Sequence, residues 1–373
     1  MTEKLRDLLH DRAADVDFPT PDLDVLVRAG DRRVRRRRGA ALGGSLAALA
    51  VTAALVVPAL TDDGSPDAAS GRDSVALPLD IVSWADGSVL HAGPAELDLG
   101  VTIRAFVQTT VGYVVADADG RVLSVVDGET TEVGSVDAER PRLVGDHDST
   151  VVGWVDRAGK RPTFVVLDQE DGQRVLEDSS GTEPGMGDLA DEADPAYFYA
   201  LDGDTAYWRD RRGAVAVSVV TGEVDVIDAD ARNGFDLIDV QDGVLAFYGD
   251  QGVEVGESRA SARPLPDVLN GTVMEGNGVL SPLATMYAPD SELVKVVGLN
   301  GNALSPSMPT SYFFSTVYEW ADDETVRVIA LEADDPSADL FSCSIATTGC
   351  TLLVDGAGAE GELQLPTGET LGS

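Results

Sequence analysis

Acidic side chains dominate the chemistry open to this chain. Its 373 residues include 65 Asp and Glu against 27 Lys and Arg, with three histidines and two cysteines. Two carboxylates flanking a sugar linkage can cleave it, one as acid and one as base or nucleophile. Here the acids are so numerous that spacing singles out no pair. The histidines, His10, His91 and His147, stand far apart. No C-x-x-C, H-E-x-x-H or G-x-S-x-G occurs, so the sequence offers no recognisable zinc site and no serine nucleophile elbow. The run Asp228-Ala229-Asp230-Ala231-Arg232-Asn233-Gly234 looks like the start of a calcium loop. It leaves the EF-hand spacing after the second Asp and lacks the closing Glu. The expectation is a chain with no catalytic residue, no metal and no cofactor.

The cysteines are more informative. Cys343 and Cys350 bracket Ser344-Ile345-Ala346-Thr347-Thr348-Gly349, and the flanks Leu340-Phe341-Ser342 and Thr351-Leu352-Leu353-Val354 read as strands. A turn centred on Ala346 and Thr347 makes the two cysteines direct cross-strand partners, with Cα atoms about 4.5 Å apart, near the short end of disulfide geometry. In an oxidising compartment such a pair closes. Cys343 and Cys350 are therefore the expected site residues, as a disulfide.

The compartment is suggested by the stretch from Gly39 to Leu60, twenty-two residues without a charge. As a helix rising about 1.5 Å per residue it matches the hydrocarbon thickness of a bilayer. Arg32, Arg33, Arg35, Arg36, Arg37 and Arg38 precede it, and Asp62, Asp63 and Asp67 follow. Arginines stay on the cytoplasmic side, which predicts a single pass with the N-terminus inside. A cleaved secretory signal ending near Val57-Pro58-Ala59 is the alternative. Gly39 and Gly43 form a G-x-x-x-G that would suit helix pairing. Residues 1–38 read as a partly helical cytoplasmic tail, with Leu5, Leu8 and Leu9 on one face and a second start at Thr20-Pro21. Residues 61–74, rich in Asp, Gly, Ser and Ala, read as a flexible stalk. Beyond Arg38 the chain holds 57 acidic against 17 basic residues, a net charge of −40. Such a domain repels nucleic acid, which is excluded as a partner.

From residue 75 to 373 the pattern is all-β. Short runs of Val, Ile, Leu, Thr and aromatics alternate with Asp-Gly or Asn-Gly turns, as at Asp86-Gly87, Asp127-Gly128, Asp242-Gly243 and Asp355-Gly356. Those dipeptides supply the positive φ of tight hairpins. Met186 to Asp194 could form a short turn of helix. Units begin near Thr102, Pro141, Ala196, Phe235, Thr272 and Tyr312. A repeat near forty residues with about four short strands is the mark of a β-propeller. Runs such as Ala214 to Val220 are apolar at nearly every position, as strands covered on both faces by neighbouring blades must be. Candidate strands at Ile81 to Trp84, Val89 to His91 and Leu97 to Leu99, joined by Glu362 to Leu365, would build a seventh blade from both ends and remove the free edge. Seven blades are expected, with six or eight as alternatives and a pair of β-sandwiches as the other architecture. The insertion at residues 179–195 reads as an exposed excursion.

The arginine stretch, the Ala-rich span, the repeated Asp-Gly hairpins and FSCSIATTGC together resemble single-pass, propeller-bearing surface proteins of high-GC Gram-positive bacteria, of the WD-repeat-like or TolB-like type. The resemblance is one of layout, without a Trp-Asp blade signature, and it brings no assigned activity. It implies a cell-membrane protein with an extracytoplasmic propeller that binds a protein or cell-wall component. Two alternatives are a surface enzyme such as a glycoside hydrolase, and a regulator of a sigma factor acting through a cytoplasmic protein bound to the tail.

Overall fold

The computed structural model describes residues 81–145, 148–187, 196–231, 237–249, 252–265, 278–333, 335, 337–359 and 361–371. They form seven sheets, each of four antiparallel strands. Six sheets use strands consecutive in sequence. The remaining one takes Ser83–Asp86, Val89–Ala92 and Ala95–Asp98 from the start of the domain and Leu363–Gln364 from far down the chain, with Ala85 opposite Gln364 and Asp86 opposite Leu363. From the composite sheet to the last, the inner strand of each sheet touches the inner strand of the next, and the outer strand Cys350–Ala359 of the last sheet touches Ser83–Asp86 and Leu363–Gln364 of the composite one, which closes the ring. The fold is a seven-bladed β-propeller closed by both ends of the domain sequence.

Blade 1 is the composite sheet. The inner strands of blades 2 to 7 are Ile103–Gln108, Leu143–Gly145, Tyr197–Asp202, Leu237–Gln241, Val279–Leu280 and Tyr312–Asp322. We call the face where these strands begin the front, and the face where they end the back. The core lies between blades. Val114, Ala116 and Val122 of blade 2 pack with Val152, Trp154 and Leu167 of blade 3, and Phe164 of blade 3 stacks on Trp208 of blade 4 with ring centroids 4.5 Å apart. A strand covered on both sides needs apolar residues in succession, and all five residues of Tyr113–Asp117 are buried. The hairpins close as the turn chemistry requires: Asp127-Gly128 and Asp242-Gly243 have both central residues at positive φ.

Several expectations need correction. Asp355-Gly356 makes no turn; it lies inside the outer strand Cys350–Ala359, where Gly356 at φ 64° breaks the register with Ser337–Ser344. The apolar run of blade 4 ends as a strand at Ser218, and Val220 stands exposed in the following turn. The insertion after blade 3 is no free excursion over its described part. Gly181, Thr182 and Met186 are buried, Thr182 Oγ1 donates to Pro162 O at 2.7 Å, and Met186 joins the core between blades 3 and 4. Met186 and Gly187 are not helical, and the rest of that segment falls outside the described residues. Among the described residues there is no helix, and none is long and apolar enough to cross a membrane. The expected span at residues 39–60, with the tail and stalk, lies outside the described residues.

Candidate functional site

Ring folds gather convergent side chains on the wall formed by their inner strands. After Leu363–Gln364 the chain turns back and runs along the inner strands of blades 2 and 3. Gly368 N–H donates to Phe106 O at 2.9 Å, and Leu143 N–H donates to Gly368 O at 2.8 Å. Thr370 Oγ1 donates to Arg104 O at 3.0 Å, and Leu371 N–H to Gln364 Oε1 at 3.0 Å. Gly368 is required twice over: its φ is +77°, and a Cβ there would sit 1.9 Å from Leu143 O. Next to it Glu369 forms an ion pair with Arg142. The Arg142 guanidinium also donates to Phe198 O at 2.6 Å and Tyr199 O at 3.1 Å, and lies 4.4 Å from the centre of the Tyr197 ring. The front end of the wall at blades 2 to 4 is thus occupied by the chain's own C-terminal segment.

Further round the ring, Asp239 sits on the inner strand of blade 5. Its carboxylate accepts Val240 N–H at 2.8 Å and Leu280 N–H of blade 6 at 2.7 Å. Burial pushes its pKa up to about 7; the two N–H groups and Arg142 pull it down, and Asp202 adds to the rise. Asp202, on the adjacent inner strand, accepts the N–H groups of Asp242 and Gly243 at the back. Both carboxylates therefore stitch one blade to the next. One oxygen of Asp239 clamps blade 6, while the other accepts an N–H from its own strand.

The rim differs from the wall. On the front of blades 6 and 7, Leu293 and Phe313 stand largely in water. The loop carrying Leu293 is hydrogen-bonded to the start of the inner strand carrying Phe313, with Ser315 N–H donating to Glu292 O at 2.9 Å.

The residues singled out by sequence fall elsewhere. Cys343 and Cys350 are bonded at the back of blade 7, directly opposed in the ladder, with Cα atoms 4.0 Å apart. His91 stacks on Trp84 at 4.7 Å, a packing role. Asp228 accepts Asp230 N–H at 3.0 Å and lies 3.8 Å from Arg259 Nε, so an Asx turn and a cation occupy it; residues 232–236 lie outside the described residues. Among the described residues no three His, Cys, Asp or Glu side chains gather as a metal site. Asp239, Arg142 and Glu369 carry no sequence pattern that would have marked them. Nor does Phe313, which is the extra residue of a β-bulge between Tyr312 and Phe314 and is left unpaired in the ladder.

No protein-family model matches the chain, and no curated protein matches it in sequence. Solved structures do align. TolB from Acinetobacter baumannii is 15% identical with a TM-score of 0.41, covering 71% of this chain and 68% of that one. Apo AztD from Citrobacter koseri is 10% identical with a TM-score of 0.44, covering 73% and 80%. An oligogalacturonate lyase in complex with manganese is 9% identical with a TM-score of 0.37, covering 68% and 72%. These likenesses concern chain layout alone; the seven blades are assigned from the sheets themselves.

Proposed function

We propose that this protein is a membrane-anchored binding or sensing module whose propeller meets a protein or cell-wall ligand outside the cytoplasm. The observation that carries the reading is the contrast on the front face. The front end of the wall at blades 2 to 4 is occupied by the chain's own C-terminal segment, whereas the rim of blades 6 and 7 presents apolar side chains to water. Apolar side chains held in water on one rim suit an encounter with a partner. The Cys343–Cys350 bond supports an oxidising compartment. The uncharged stretch at residues 39–60, with arginines before it, supports one span and an N-terminus inside, where residues 1–38 contact a cytoplasmic protein.

Two measurements test this. Protease added to intact spheroplasts should remove the propeller and spare residues 1–38; a protected propeller would overturn the topology. Photo-crosslinkable residues placed singly over both faces of the full chain should give a discrete adduct from the front. Adducts spread evenly over both faces, or none anywhere, would overturn the binding reading.

A further inference from the structure

Arg209 is a buried cation with no counterion among the described residues. It is 4% exposed, and its Nε and Nη1 are buried without a hydrogen-bond partner. A lysine in such a place could shed its proton, but a guanidinium stays charged. An isolated buried charge is costly, so arginines held inside a protein are normally paired.

The ladder fixes where Arg209 points. Its neighbour Trp208 stacks on Phe164 of blade 3. Alternation along the strand turns Arg209 to the other face, toward blade 5. The cross-strand partners agree. Tyr197 on one side and Ala214 on the other both belong to the core shared with Leu237 and Phe247 of blade 5, and directly opposed residues lie on one face. Tyr197 opens its inner strand, so Arg209 lies at the front end of the seam between blades 4 and 5.

The carboxylates along this row are already taken. On the Tyr197 side, Glu369 is ion-paired with Arg142, whose guanidinium covers the Tyr197 ring. On the Ala214 side, Asp228 stands opposite on the outer strand and lies 3.8 Å from Arg259 Nε. Arg259 also has a buried Nη1 without a partner, and its guanidinium lies 5.0 Å from the centre of the Phe247 ring. The row and its flanks therefore hold three guanidinium groups and two carboxylates, a local positive excess in a strongly acidic domain. Asp228 and Arg259 are partly exposed, so the seam reaches water at its outer end.

We propose that the front end of the seam between blades 4 and 5 is an anion site, in which Arg209 presents its N–H fork to a carboxylate or phosphate group. The fork matches two oxygens of either group. Burial keeps salt from screening the pair. The site is separate from the rim of blades 6 and 7 and does not rest on the binding reading above.

The test uses the full chain in detergent. Melting is followed at fixed ionic strength while sodium chloride is exchanged for sodium phosphate or sodium acetate. At least one of the two oxyanions should raise the melting temperature saturably. A rise with phosphate alone, or with acetate alone, names the group. Arg209→Met keeps the volume and removes the charge. It should melt at or above wild type in chloride, because the charge it removes has no partner, and it should lose the saturable response. Arg209→Lys keeps the charge without the fork and should bind about tenfold more weakly. No rise over chloride in wild type would overturn the proposal. So would an equal rise in Arg209→Met, which is an ordinary salt effect on burial. A large loss of melting temperature in Arg209→Met in chloride would overturn it as well, since Arg209 would then be satisfied without an anion.

Discussion

Blades 6 and 7 are neighbours built in opposite ways. The strands of blade 7 have 11, 8, 8 and 10 residues. Those of blade 6 have 2, 3, 3 and 2. Strands so short form few ladder bonds and cannot support a sheet alone. Blade 6 is held from its sides instead. Asp239 of blade 5 accepts Leu280 N–H; on the other side, Trp320 Nε1 donates to Val279 O at 3.2 Å and Leu283 N–H donates to Asp323 Oδ1 at 2.8 Å. Ala288, Val294 and Val296 share a core with Val317, Trp320, Val326 and Val328 of blade 7. In a closed ring, then, the regularity of a blade and the source of its stability are separate matters. One blade carries its own ladder, and the next borrows its order from both sides.

The comparison breaks most readily at Trp320, which is buried and bonded across the blade boundary. Trp320→Ala should cost about 3–5 kcal/mol in denaturant unfolding. Hydrogen exchange should quicken at residues 279–298 before the middle strands of blade 7. Equal acceleration in both blades would show that blade 6 is not the dependent partner.

The clamp from blade 5 should act through pH. The folded-state pKa of Asp239, about 7, lies above the value of about 4 for an unfolded Asp. Between these values the folded ring binds more protons than the unfolded chain, so this group's stabilising contribution is full below about pH 4 and lost as pH rises to about 7. The swing is on the order of 4 kcal/mol. Asp239→Asn should therefore flatten the fall in melting temperature between pH 5 and 8 relative to wild type. Parallel curves for the two proteins would rule this out.

Blade 7 should answer to its own cross-link. Replacing Cys343 and Cys350 by Ser removes a short closed loop and should cost roughly 2 kcal/mol or less. The loss of exchange protection should stay at the back ends of Ser337–Ser344 and Cys350–Ala359. Mass spectrometry without reduction gives the first check, since both cysteines alkylated would mean that the bond is not formed. Smallest of all is Leu293→Ser combined with Phe313→Ser. Both side chains already stand in water, so stability should change by less than about 0.5 kcal/mol. A larger change would mean that the pair packs within the boundary between the blades.

Much of the ring was legible from local chemistry. Turn dipeptides and the forty-residue spacing placed blade starts within a few residues of Ile103, Leu143, Tyr197 and Tyr312. The edge argument called for a blade joined from both ends, as Ala85 and Gln364 are. Equal index sums across one turn put Cys343 opposite Cys350. The wall and rim were illegible for a different reason. Asp239 matters because Leu280 lies beside it, and Glu369 because Arg142 does. Each such pair is distant in sequence, and neither member has a periodic signal. The insertion's buried residues escape a reading by composition, because Gly181 and Thr182 are loop-like in type yet are covered by the chain around Pro162 and Arg211.

The strand that closes the ring also sets a timetable. Leu363–Gln364 must find Ser83–Asp86 across nearly the whole propeller sequence, and the returning segment must then slot its glycine against Leu143. Contacts of such long sequence separation form late and slow the folding search. While the chain is being made, blade 1 lacks its inner strand, and the open edge of Ser83–Asp86 can pair with other chains. A helper that shields this edge until Leu363–Gln364 arrives would therefore act on the yield of the folded ring rather than on its final stability.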